Sequence, residues 1–499
     1  MDDLTSVLAA GRPGDCALIT ADDGERTTYS ALAARVETLA GRLAGLGVER
    51  GSRVALALPN GPEIVELLLA IMFVGAAAAP LNPAYKRDEF AFYLDDIDPR
   101  LLVLPAGRIE PAREAAGDRP VADLIARVEA PPDLVVGGRA ALAAATFTAA
   151  DGDDVALVLH TSGTTSRPKQ VPLLHRNLVA SVRSIRAHYA LGPGDVSFCV
   201  MPLFHVHGLI ASVLSALQAG GTAVVPRRFT PNQFWPQARH LGATWLSAGP
   251  TLHHMILDRS DGGPTPTTLR FVRSCSSALS PELMRRAEAA YGVPMLEAYG
   301  MTEASHQMAS NPLPPAPRLP GSVGVATGTE IAVVDRDLRP VREGTPGEVV
   351  VRGPSVTPGY LANPEANAEA FFDGWFRTGD LGVLEDGYLR LEGRLKELIL
   401  RGGENISPTE IEQVLRRHPA VGDAVCFGVA DEKYGELVGA AVTLVGAADE
   451  AALIAHCREH LAAFKVPDRI HVVTEIPRTA TGKVQRRRVA EHLASGSGR

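Results

Sequence analysis

The segment 161–171, with the sequence TSGTTSRPKQV, places hydroxyl residues and a glycine ahead of one lysine. Small residues let a backbone fold closely around a phosphate and offer it N–H and O–H donors. Lys169 adds a point charge for the same oxygens. The order G-x-x-x-x-G-K-[ST] is absent, so this is not a P-loop of the Walker type. Taken alone, the segment is equally typical of a surface turn, and both interpretations stay open here.

Further segments rich in reactive side chains follow in the chain. They are MPLFHVHG at 201–208, RSCSSAL at 273–279, EAYGMTE at 297–303, WFRTGD at 375–380, GRLKELI at 393–399, RGGE at 401–404 and PRTATGK at 477–483. Each has a purely structural alternative when it is considered alone. Glu303 could be a charge at a helix N-terminus, Asp380 a turn residue, and Lys483 a solvated charge in a basic tail.

Composition limits the class of protein. A chain of 499 residues is too long for one hydrophobic core, so at least two domains are expected. A net charge of −8 argues against a nucleic-acid-binding surface. The five cysteines show no C-x-x-C spacing and indicate reduced thiols in a cytoplasmic protein. The longest apolar run, 67–81, is shorter than the roughly 18–20 residues that span a bilayer.

The hydrophobic pattern predicts an α/β fold. Thr28 is the expected N-cap of a helix over 29–46. Short apolar strands alternate with helices from 54 to 274, with strands expected over 124–128 and 271–274 and a buried helix running into a strand over 67–81, which favours parallel sheets. After Pro320 the chain becomes rich in Gly, Val and Asp-Gly turns, which indicates a smaller β-rich section. Beyond about Gly393 the pattern predicts a compact α+β unit. We therefore expect an N-terminal domain over 1–393 and a C-terminal domain over 394–499.

The motifs, in this order, resemble those of the acyl- and aryl-CoA synthetases. These enzymes belong to the adenylate-forming superfamily, with luciferases and peptide-synthetase adenylation domains, and the resemblance covers nearly the whole chain. It implies a large N-terminal domain of two αβ sheets plus a β-rich subdomain, and a small mobile C-terminal domain. It also implies a two-step reaction. A carboxylate attacks the α-phosphate of ATP to give an acyl-adenylate and pyrophosphate, and the thiol of coenzyme A then displaces AMP.

The resemblance assigns roles to individual residues. Tyr299 resembles the adenine-stacking ring, Thr302 a phosphate contact, and Glu303 the ligand of a Mg²⁺ that accompanies ATP. Asp380 is expected to accept the ribose hydroxyls, and Arg394 to hold the ribose or phosphate side. Lys483 resembles the lysine that bridges the carboxylate and the α-phosphate, and His205 is the remaining catalytic candidate. The other predicted ATP and AMP contacts are Thr161, Ser162, Gly163, Thr164, Thr165, Lys169, Ser277, Ala278, Glu297, Ala298 and Gly300.

The resemblance also implies a conformational cycle. Lys396 is at the position of the family's hinge, and the C-terminal domain is expected to rotate there between the half-reactions, carrying Lys483 away. Gly402 and Gly403 are expected to line the pantetheine path, where the lack of side chains leaves room for a narrow chain. Gln170 departs from the family, which usually has glycine after the loop lysine. If that site needs φ > 0, glutamine costs roughly 1 kcal/mol there, so either the loop relaxes slightly or the site tolerates φ < 0.

The acid is predicted from a narrower resemblance, to the oxalate–CoA ligases of plants and fungi. The segment 305–308, SHQM, followed by Ser310-Asn311-Pro312, is its most distinctive part. Oxalate brings a second carboxylate that an apolar pocket would leave unpaired at a cost of several kcal/mol. His207, Ser276 and His306 are expected to bind that carboxylate, with a contribution from His205, and an imidazole can become cationic beside a dianion.

Other interpretations remain open. His306 could be a core histidine, and His205, His207, His253 and His254 could form a zinc site. The acid could instead be a fatty, aryl or other short-chain carboxylate. The chain could also load a carrier protein or be an inactive homologue, although Lys169, Glu303, Asp380 and Lys483 argue against the latter. The expected partners are ATP, coenzyme A and a small carboxylate, without nucleic acid or a membrane span, and a homodimer is compatible with the sequence.

Overall fold

The computed structural model describes residues 3–127, 130–143, 146–161, 168–259, 268–479 and 484–494. Its α-helices are α1 (Tyr29–Gly45), α2 (Pro62–Phe73), α3 (Arg87–Ile97), α4 (Glu110–Ala116), α5 (His175–His188), α6 (Ser215–Gln218), α7 (Pro231–His240), α8 (Pro250–Leu257), α9 (Pro281–Tyr291), α10 (Pro364–Ala370), α11 (Pro408–Arg416), α12 (Glu450–His460) and α13 (Arg486–Ala494). A π-helical segment covers His207–Leu214, and short 3₁₀ turns cover Leu4–Ala9, Thr302–Ala304, Leu395–Glu397 and Ala463–Lys465.

The strands of the first 326 residues are β1 (Cys16–Thr20), β2 (Arg26–Thr28), β3 (Arg53–Leu56), β4 (Ala77–Pro80), β5 (Leu101–Pro105), β6 (Val121–Ile125), β7 (Asp133–Val136), β8 (Arg139–Ala140), β9 (Val155–Thr161), β10 (Lys169–Leu174), β11 (Val196–Cys199), β12 (Thr222–Val225), β13 (Trp245–Ala248), β14 (Phe271–Ser274), β15 (Met295–Met301), β16 (His306–Ser310) and β17 (Val325–Ala326). The later strands are β18 (Glu330–Val334), β19 (Gly347–Arg352), β20 (Phe371–Phe372), β21 (Trp375–Glu385), β22 (Tyr388–Arg394), β23 (Ile399–Arg401), β24 (Glu404–Ile406), β25 (Val421–Asp431), β26 (Gly435–Leu444) and β27 (Arg469–Val472).

The chain divides into two compact units. Unit 1 comprises residues 1–320, 324–330 and 352–371, and unit 2 comprises residues 321–323, 331–351 and 372–499. The α/β class with a large N-terminal and a smaller C-terminal part is confirmed. Unit 2 takes in the strands from β21 onward, so this division differs from the predicted boundary at residue 393. That boundary was predicted for a mobile domain, and it stays a prediction.

Unit 1 contains two sheets that are parallel in the middle and antiparallel at the edges. The nine-stranded sheet has the order β17-β16-β15-β14-β13-β11-β12-β1-β2, and the eight-stranded sheet the order β10-β9-β4-β3-β5-β6-β7-β8. Strands β15, β14, β13 and β11 are parallel neighbours, so their carboxyl ends meet at one edge. The segments 201–208, 273–279 and 297–303 all lie at or just beyond these ends, which brings three predicted site motifs together.

Local sequence signals explain several of these elements. Helix α1 begins where predicted, because the Thr28 side chain accepts a hydrogen bond from the Ala31 N–H at 3.2 Å. The apolar run 67–81 is the end of buried helix α2 followed by strand β4, as expected. One strand was misplaced: the strand predicted over 124–128 is β6 at Val121–Ile125, because the pairing with β5 uses Val121 to Leu124.

The cores lie between the sheets and their helices. One apolar cluster packs α7, α8 and α9 against the nine-stranded sheet, with Phe234, Leu246 and Val272 fully buried. In unit 2, two five-stranded sheets have the orders β18-β19-β21-β20, with β22 beside β21, and β24-β23-β26-β25, with β27 beside β26. Within the described residues, no helix is both long and apolar enough to cross a membrane.

Candidate active site

The phosphate-loop motif connects two antiparallel strands. Lys169, the first residue of β10, lies opposite Thr161, the last residue of β9. Ser162, Gly163, Thr164 and Thr165 were also predicted to bind phosphate, and they lie outside the described residues. The register fixes Thr161 and Lys169 side by side at the base of the loop, as a phosphate-binding role requires. The Lys169 ammonium lies 4.6 Å from the centre of the Tyr360 ring.

Tyr360 joins this lysine to the predicted magnesium ligand. Its hydroxyl donates a hydrogen bond to Glu303 Oε1 at 3.0 Å, and the Thr357 N–H donates to the Glu303 carbonyl at 2.7 Å. Burial and the Glu303 carboxylate raise the pKa of Tyr360, so the phenol stays a donor. Thr302 and Glu303 occupy the short 3₁₀ turn after β15. Tyr360 was missed in the sequence, where its only signal is the Pro-Gly-Tyr turn at 358–360.

Gln170, the departure from the family pattern, lies in regular strand β10 and is not among the residues with positive φ. The site therefore tolerates φ < 0, which was the second of the two alternatives. Its amide Nε2 donates to the Asp96 carbonyl at 2.6 Å and to Asp96 Oδ2 at 2.9 Å. His160 Nε2 also lies 2.9 Å from Asp96 Oδ2. Gln170 thus fastens the base of the phosphate loop to the end of α3.

The predicted adenine residues lie on strand β15. Tyr299 and Ala298 are buried, and Gly300 is paired with Gln307 across the β15–β16 hairpin. A Cβ at Gly300 would lie 1.9 Å from the His306 carbonyl oxygen, so only glycine allows this approach. The tight packing positions His306 directly beside the adenine motif. This link between nucleotide and acid residues was not predicted.

Glu297 carries a perturbed carboxyl group. Burial raises its pKa to about 8, and the one hydrogen bond that lowers the pKa, from the Leu279 N–H to Oε1 at 2.9 Å, only partly offsets this effect. The carboxyl is therefore largely protonated at neutral pH and has an O–H to donate. Ser277 and Ala278, the other predicted nucleotide contacts of this region, are exposed and precede Leu279 directly.

The predicted ribose residues lie in unit 2. Asp380 on β21 is opposite Arg394 on β22, and Arg394 Nε donates to Asp380 Oδ1 at 2.8 Å. Asp380 is buried, and its own N–H donates to the Thr378 hydroxyl at 3.1 Å. The arginine thus orients a buried carboxylate, which suits a diol acceptor. Both roles stay predictions.

The hinge and coenzyme A residues also lie in unit 2. Lys396 is exposed in the 3₁₀ turn 395–397. Gly402 and Gly403 form the turn between β23 and β24 with φ of +58° and +91°. Because positive φ favours glycine, the geometry of the turn is enough to explain both glycines. A role in the pantetheine path is an additional prediction. Lys483 lies outside the described residues.

The three residues predicted to bind the acid lie in one hydrogen-bonded cluster, which we call the acid cluster: His207, Ser276 and His306. His207 Nδ1 lies 2.9 Å from Ser276 Oγ, and the His207 and His306 rings are 5.0 Å apart. Arg273, fully buried, reaches both rings: Nη1 lies 3.4 Å from His207 Nε2, and Nη2 lies 3.3 Å from His306 Nδ1. Arg273 was assigned no role from the sequence, although an arginine inside the apolar strand FVRS is unusual.

The backbone at the acid cluster is held in unusual conformations. Ser276 has φ of +77° and His306 has φ of +94°. Such values are unfavourable for residues with a Cβ and cluster at functional sites. His205 contributes indirectly, since its Nδ1 accepts the His207 N–H at 3.2 Å just before the π-helical segment. In the alternative zinc grouping, both ring nitrogens of His253 are engaged, with Tyr291 Oη and the Arg273 carbonyl.

The imidazoles of the acid cluster are neutral. Burial, and then the charge of Arg273, hold the pKa of both His207 and His306 well below the ordinary value. In the free protein, neither ring is the cation that was considered from the sequence. The positive charge lies on the arginine behind them.

Comparisons with known proteins agree with this geometry. Residues 7–361 match the family model described as AMP-binding enzyme, and residues 410–483 match AMP-binding enzyme C-terminal domain. The chain belongs to the AMP-binding enzymes. The predicted family of adenylate-forming acyl-CoA synthetases is confirmed, and with it the class of AMP-forming acid–thiol ligase.

Individual relatives cover nearly the whole chain. It is 47% identical to an oxalate–CoA ligase of Arabidopsis thaliana, over 93% of each chain. It is 39% identical to a sulfoacetate–CoA ligase of Cupriavidus necator, over 98% of this chain and 97% of the relative. The crystal structure of ATP-bound MatB from Rhodopseudomonas palustris superposes with a TM-score of 0.90 at 31% identity, covering 99% of both chains.

Proposed function

We propose that this ligase joins oxalate to coenzyme A at the expense of ATP. One carboxylate oxygen of oxalate attacks the α-phosphate, forming the oxalyl–AMP anhydride and releasing pyrophosphate. The thiol of coenzyme A then attacks the acyl carbon, forms the thioester, loses its proton and releases AMP. The observation that carries the acid assignment is the acid cluster with the buried Arg273 behind it.

An acid with a second charged group explains the polarity of the acid cluster. A fatty or aryl acid gains nothing from the outward donors of Ser276 and His306, which it would leave without partners at a cost of about 1–3 kcal/mol each. A dicarboxylate replaces the water lost on binding with hydrogen bonds from these groups. The 47% identity to a protein named oxalate–CoA ligase supports the same acid.

Sulfoacetate is a second candidate. Its sulfonate is also an anion, and a relative of 39% identity is named for that acid. The acid cluster offers hydrogen-bond donors suited to either anionic group. Oxalate is smaller and planar, and the higher identity of the oxalate relative favours it.

In this proposal the residues of unit 1 hold the phosphates and the acid. Thr161, Lys169 and Thr302 contact the phosphates, and Tyr299 stacks on the adenine. Glu303 fits Mg²⁺, because this ion takes one or two carboxylates together with phosphate oxygens. When bound, the ion would neutralise charge on the phosphate oxygens. Tyr360 orients the Glu303 carboxylate through its 3.0 Å hydrogen bond, and Lys169 remains beside the same ring.

Asp380 and Arg394 bind the ribose, and Lys483 stabilises the charge that develops as the carboxylate attacks the α-phosphate. Rotation near Lys396 between the half-reactions would remove Lys483 from the thioester step. We therefore expect Lys483→Ala to abolish adenylate formation from ATP and to spare thioester formation from supplied oxalyl-AMP. Equal loss of both half-reactions would count against the rotation.

The acid is tested by coenzyme A-dependent AMP formation with oxalate, malonate, sulfoacetate, acetate, octanoate and 4-coumarate at equal concentrations. We expect the highest kcat/KM with oxalate. A higher kcat/KM with octanoate or 4-coumarate would overturn the proposal, and one with sulfoacetate would transfer it to the second candidate. His306→Gln is the matched variant, and we expect it to raise the KM for oxalate while leaving the KM for ATP unchanged.

A further inference from the structure

A buried guanidinium supports the acid cluster. Arg273 is fully buried on β14. Each of its hydrogen bonds within the described residues ends on a neutral group: Nε donates to Tyr189 Oη at 2.9 Å, and Nη1 donates to Ser247 Oγ at 2.6 Å. The other two bonds reach the His207 and His306 rings. Buried arginines are usually paired with a carboxylate, so this arrangement retains a positive charge beneath the predicted acid site.

The donors of Arg273 determine which nitrogen of His207 carries the proton. A guanidinium has N–H donors and no acceptor, so Ser247 Oγ accepts from Nη1. The Ser247 hydroxyl is then free to donate to His207 Nε2, 2.6 Å away. With Nε2 accepting, the proton of the neutral ring is on Nδ1, which donates to Ser276 Oγ at 2.9 Å. Ser276 keeps its own O–H for an external acceptor.

The same logic fixes His306. Its Nδ1 accepts from Arg273 Nη2 at 3.3 Å, which places the ring proton on Nε2. Both chains of hydrogen bonds thus begin at the Arg273 guanidinium. One ends in the His306 Nε2–H, and the other ends in the Ser276 O–H. Donors polarised in this way match an anion, and the neutral rings leave the charge on Arg273.

We propose that Arg273 is a positioning residue that fixes the tautomers of His207 and His306 and supplies the positive potential for the second anionic group of the acid. The substrate part of this inference rests on the proposed function, whereas the tautomer part does not. Arg273 acts through the acid cluster, and its loss changes acid recognition more than nucleotide recognition.

Two variants of Arg273 and one control separate this role from a general structural one. Arg273→Met removes the charge and the donors, and Arg273→Lys keeps the charge without the planar fork. Arg270→Met is the control, because Arg270 lies three residues earlier and pairs with Asp195 at 2.8 Å. Arg270 directly precedes β14, so its loss disturbs the start of that strand without removing a hydrogen bond of the acid cluster.

Steady-state kinetics give the first measurement. We expect Arg273→Met to raise the KM for oxalate by about tenfold or more, with a smaller change in kcat and an unchanged KM for ATP. Its KM should also become more dependent on pH toward pH 5.5, because loss of the guanidinium charge raises the pKa of both imidazoles, while burial still opposes their protonation. Arg273→Lys should recover part of the KM, and Arg270→Met should keep the wild-type KM. A folded Arg273→Met protein with a wild-type oxalate KM would overturn the inference.

Nitrogen NMR of ¹⁵N-histidine protein gives the second measurement and needs no substrate. His207→Gln and His306→Gln assign the signals. In wild type we expect a neutral ring with the proton on Nδ1 for His207 and a neutral ring with the proton on Nε2 for His306, unchanged between pH 5.5 and 7.5. In Arg273→Met we expect a mixture of the two tautomers or partly protonated rings. If that variant does not fold, Ser247→Ala interrupts the relay to His207 alone and should change its tautomer. Unchanged tautomers in the folded variants would overturn the inference.

The two measurements also separate this inference from the proposed function. If wild type does not use oxalate but the tautomers respond as described, the proposed acid is wrong and the positioning role holds. If wild type uses oxalate while the variants change neither KM nor tautomers, the proposed function holds and Arg273 is structural.

Discussion

The hydrogen bond from Tyr360 to Glu303 can be removed without removing the ring over Lys169. Tyr360→Phe deletes the hydroxyl that lies 3.0 Å from Glu303 Oε1 and keeps the aromatic face 4.6 Å from the Lys169 ammonium. Glu303 is only 7% exposed, so little water is available to replace the lost donor. The variant therefore isolates the orientation of the carboxylate.

The size of the effect follows from the kind of hydrogen bond. A bond to a charged acceptor contributes about 1.5–3 kcal/mol, and about 1.4 kcal/mol corresponds to a tenfold change in rate. We expect Tyr360→Phe to lower kcat/KM for ATP by about 10- to 150-fold. Tyr360→Leu also loses the cation–π contact, worth about 0.5–1 kcal/mol, and should fall further.

The assay is pyrophosphate release with ATP and Mg²⁺ varied at saturating acid and coenzyme A. Tyr29→Phe is the matched control, because the Tyr29 hydroxyl is buried and donates to the Leu217 carbonyl at 3.0 Å and to that of Gly221 at 2.7 Å. Its loss should lower stability without changing kcat/KM for ATP. If Tyr360→Phe stays within about twofold of wild type, the assignment of Tyr360 to the magnesium ligand is refuted.

Three further variants test other parts of the site. Burial raises the pKa of Glu297 from 4.5 to about 8, so the unfolded chain releases this proton at a lower pH than the folded chain. Between pH 4.5 and 8 the wild type therefore loses about 1.4 kcal/mol of stability per pH unit. Glu297→Gln does not titrate, and its advantage in Tm over wild type should grow from pH 5 to pH 8; a constant difference would contradict the pKa shift. Gly300→Ala places a Cβ 1.9 Å from the His306 carbonyl and should cost about 1–3 kcal/mol in urea unfolding and raise the oxalate KM. Gly194→Ala, with open space around its Cβ, should do neither, and equal behaviour of the two variants would show that the hairpin adjusts. Gln170→Gly removes two donations to the end of α3 and should destabilise by about 1–2 kcal/mol, whereas a gain in denaturation midpoint would mean that glutamine is strained there.

Much of the fold was predictable because local chemistry determines it. The Thr28 cap, the helix–strand pair in 67–81 and the strand at 271–274 follow from capping and hydrophobic pattern, and all are present. The misplaced strand shows the limit of that approach, since the pairing with β5 fixes its bounds. Strand pairing depends on residues far apart in the chain, which a local pattern does not contain.

The candidate site also contains residues that the sequence predicted and residues that it did not. The predicted acid residues His207, Ser276 and His306 lie together, because parallel strands end at one sheet edge and a hairpin brings β16 back to it. Arg273 and Tyr360 were missed, because each acts through contacts with residues at least 26 positions away in the sequence. Hydrogen-bond direction depends on such contacts, so residue types alone indicated the donors of the site but not what orients them.

The central claim, that the protein activates oxalate as an adenylate, is tested most directly by isotope transfer. Oxalate labelled with ¹⁸O in its carboxylates is incubated with enzyme, ATP, Mg²⁺ and coenzyme A, and the AMP is analysed by mass spectrometry. The proposed reaction predicts that one carboxylate oxygen of oxalate remains on the phosphate, so each AMP carries one ¹⁸O. Unlabelled AMP, or formation of ADP and inorganic phosphate, would contradict the claim.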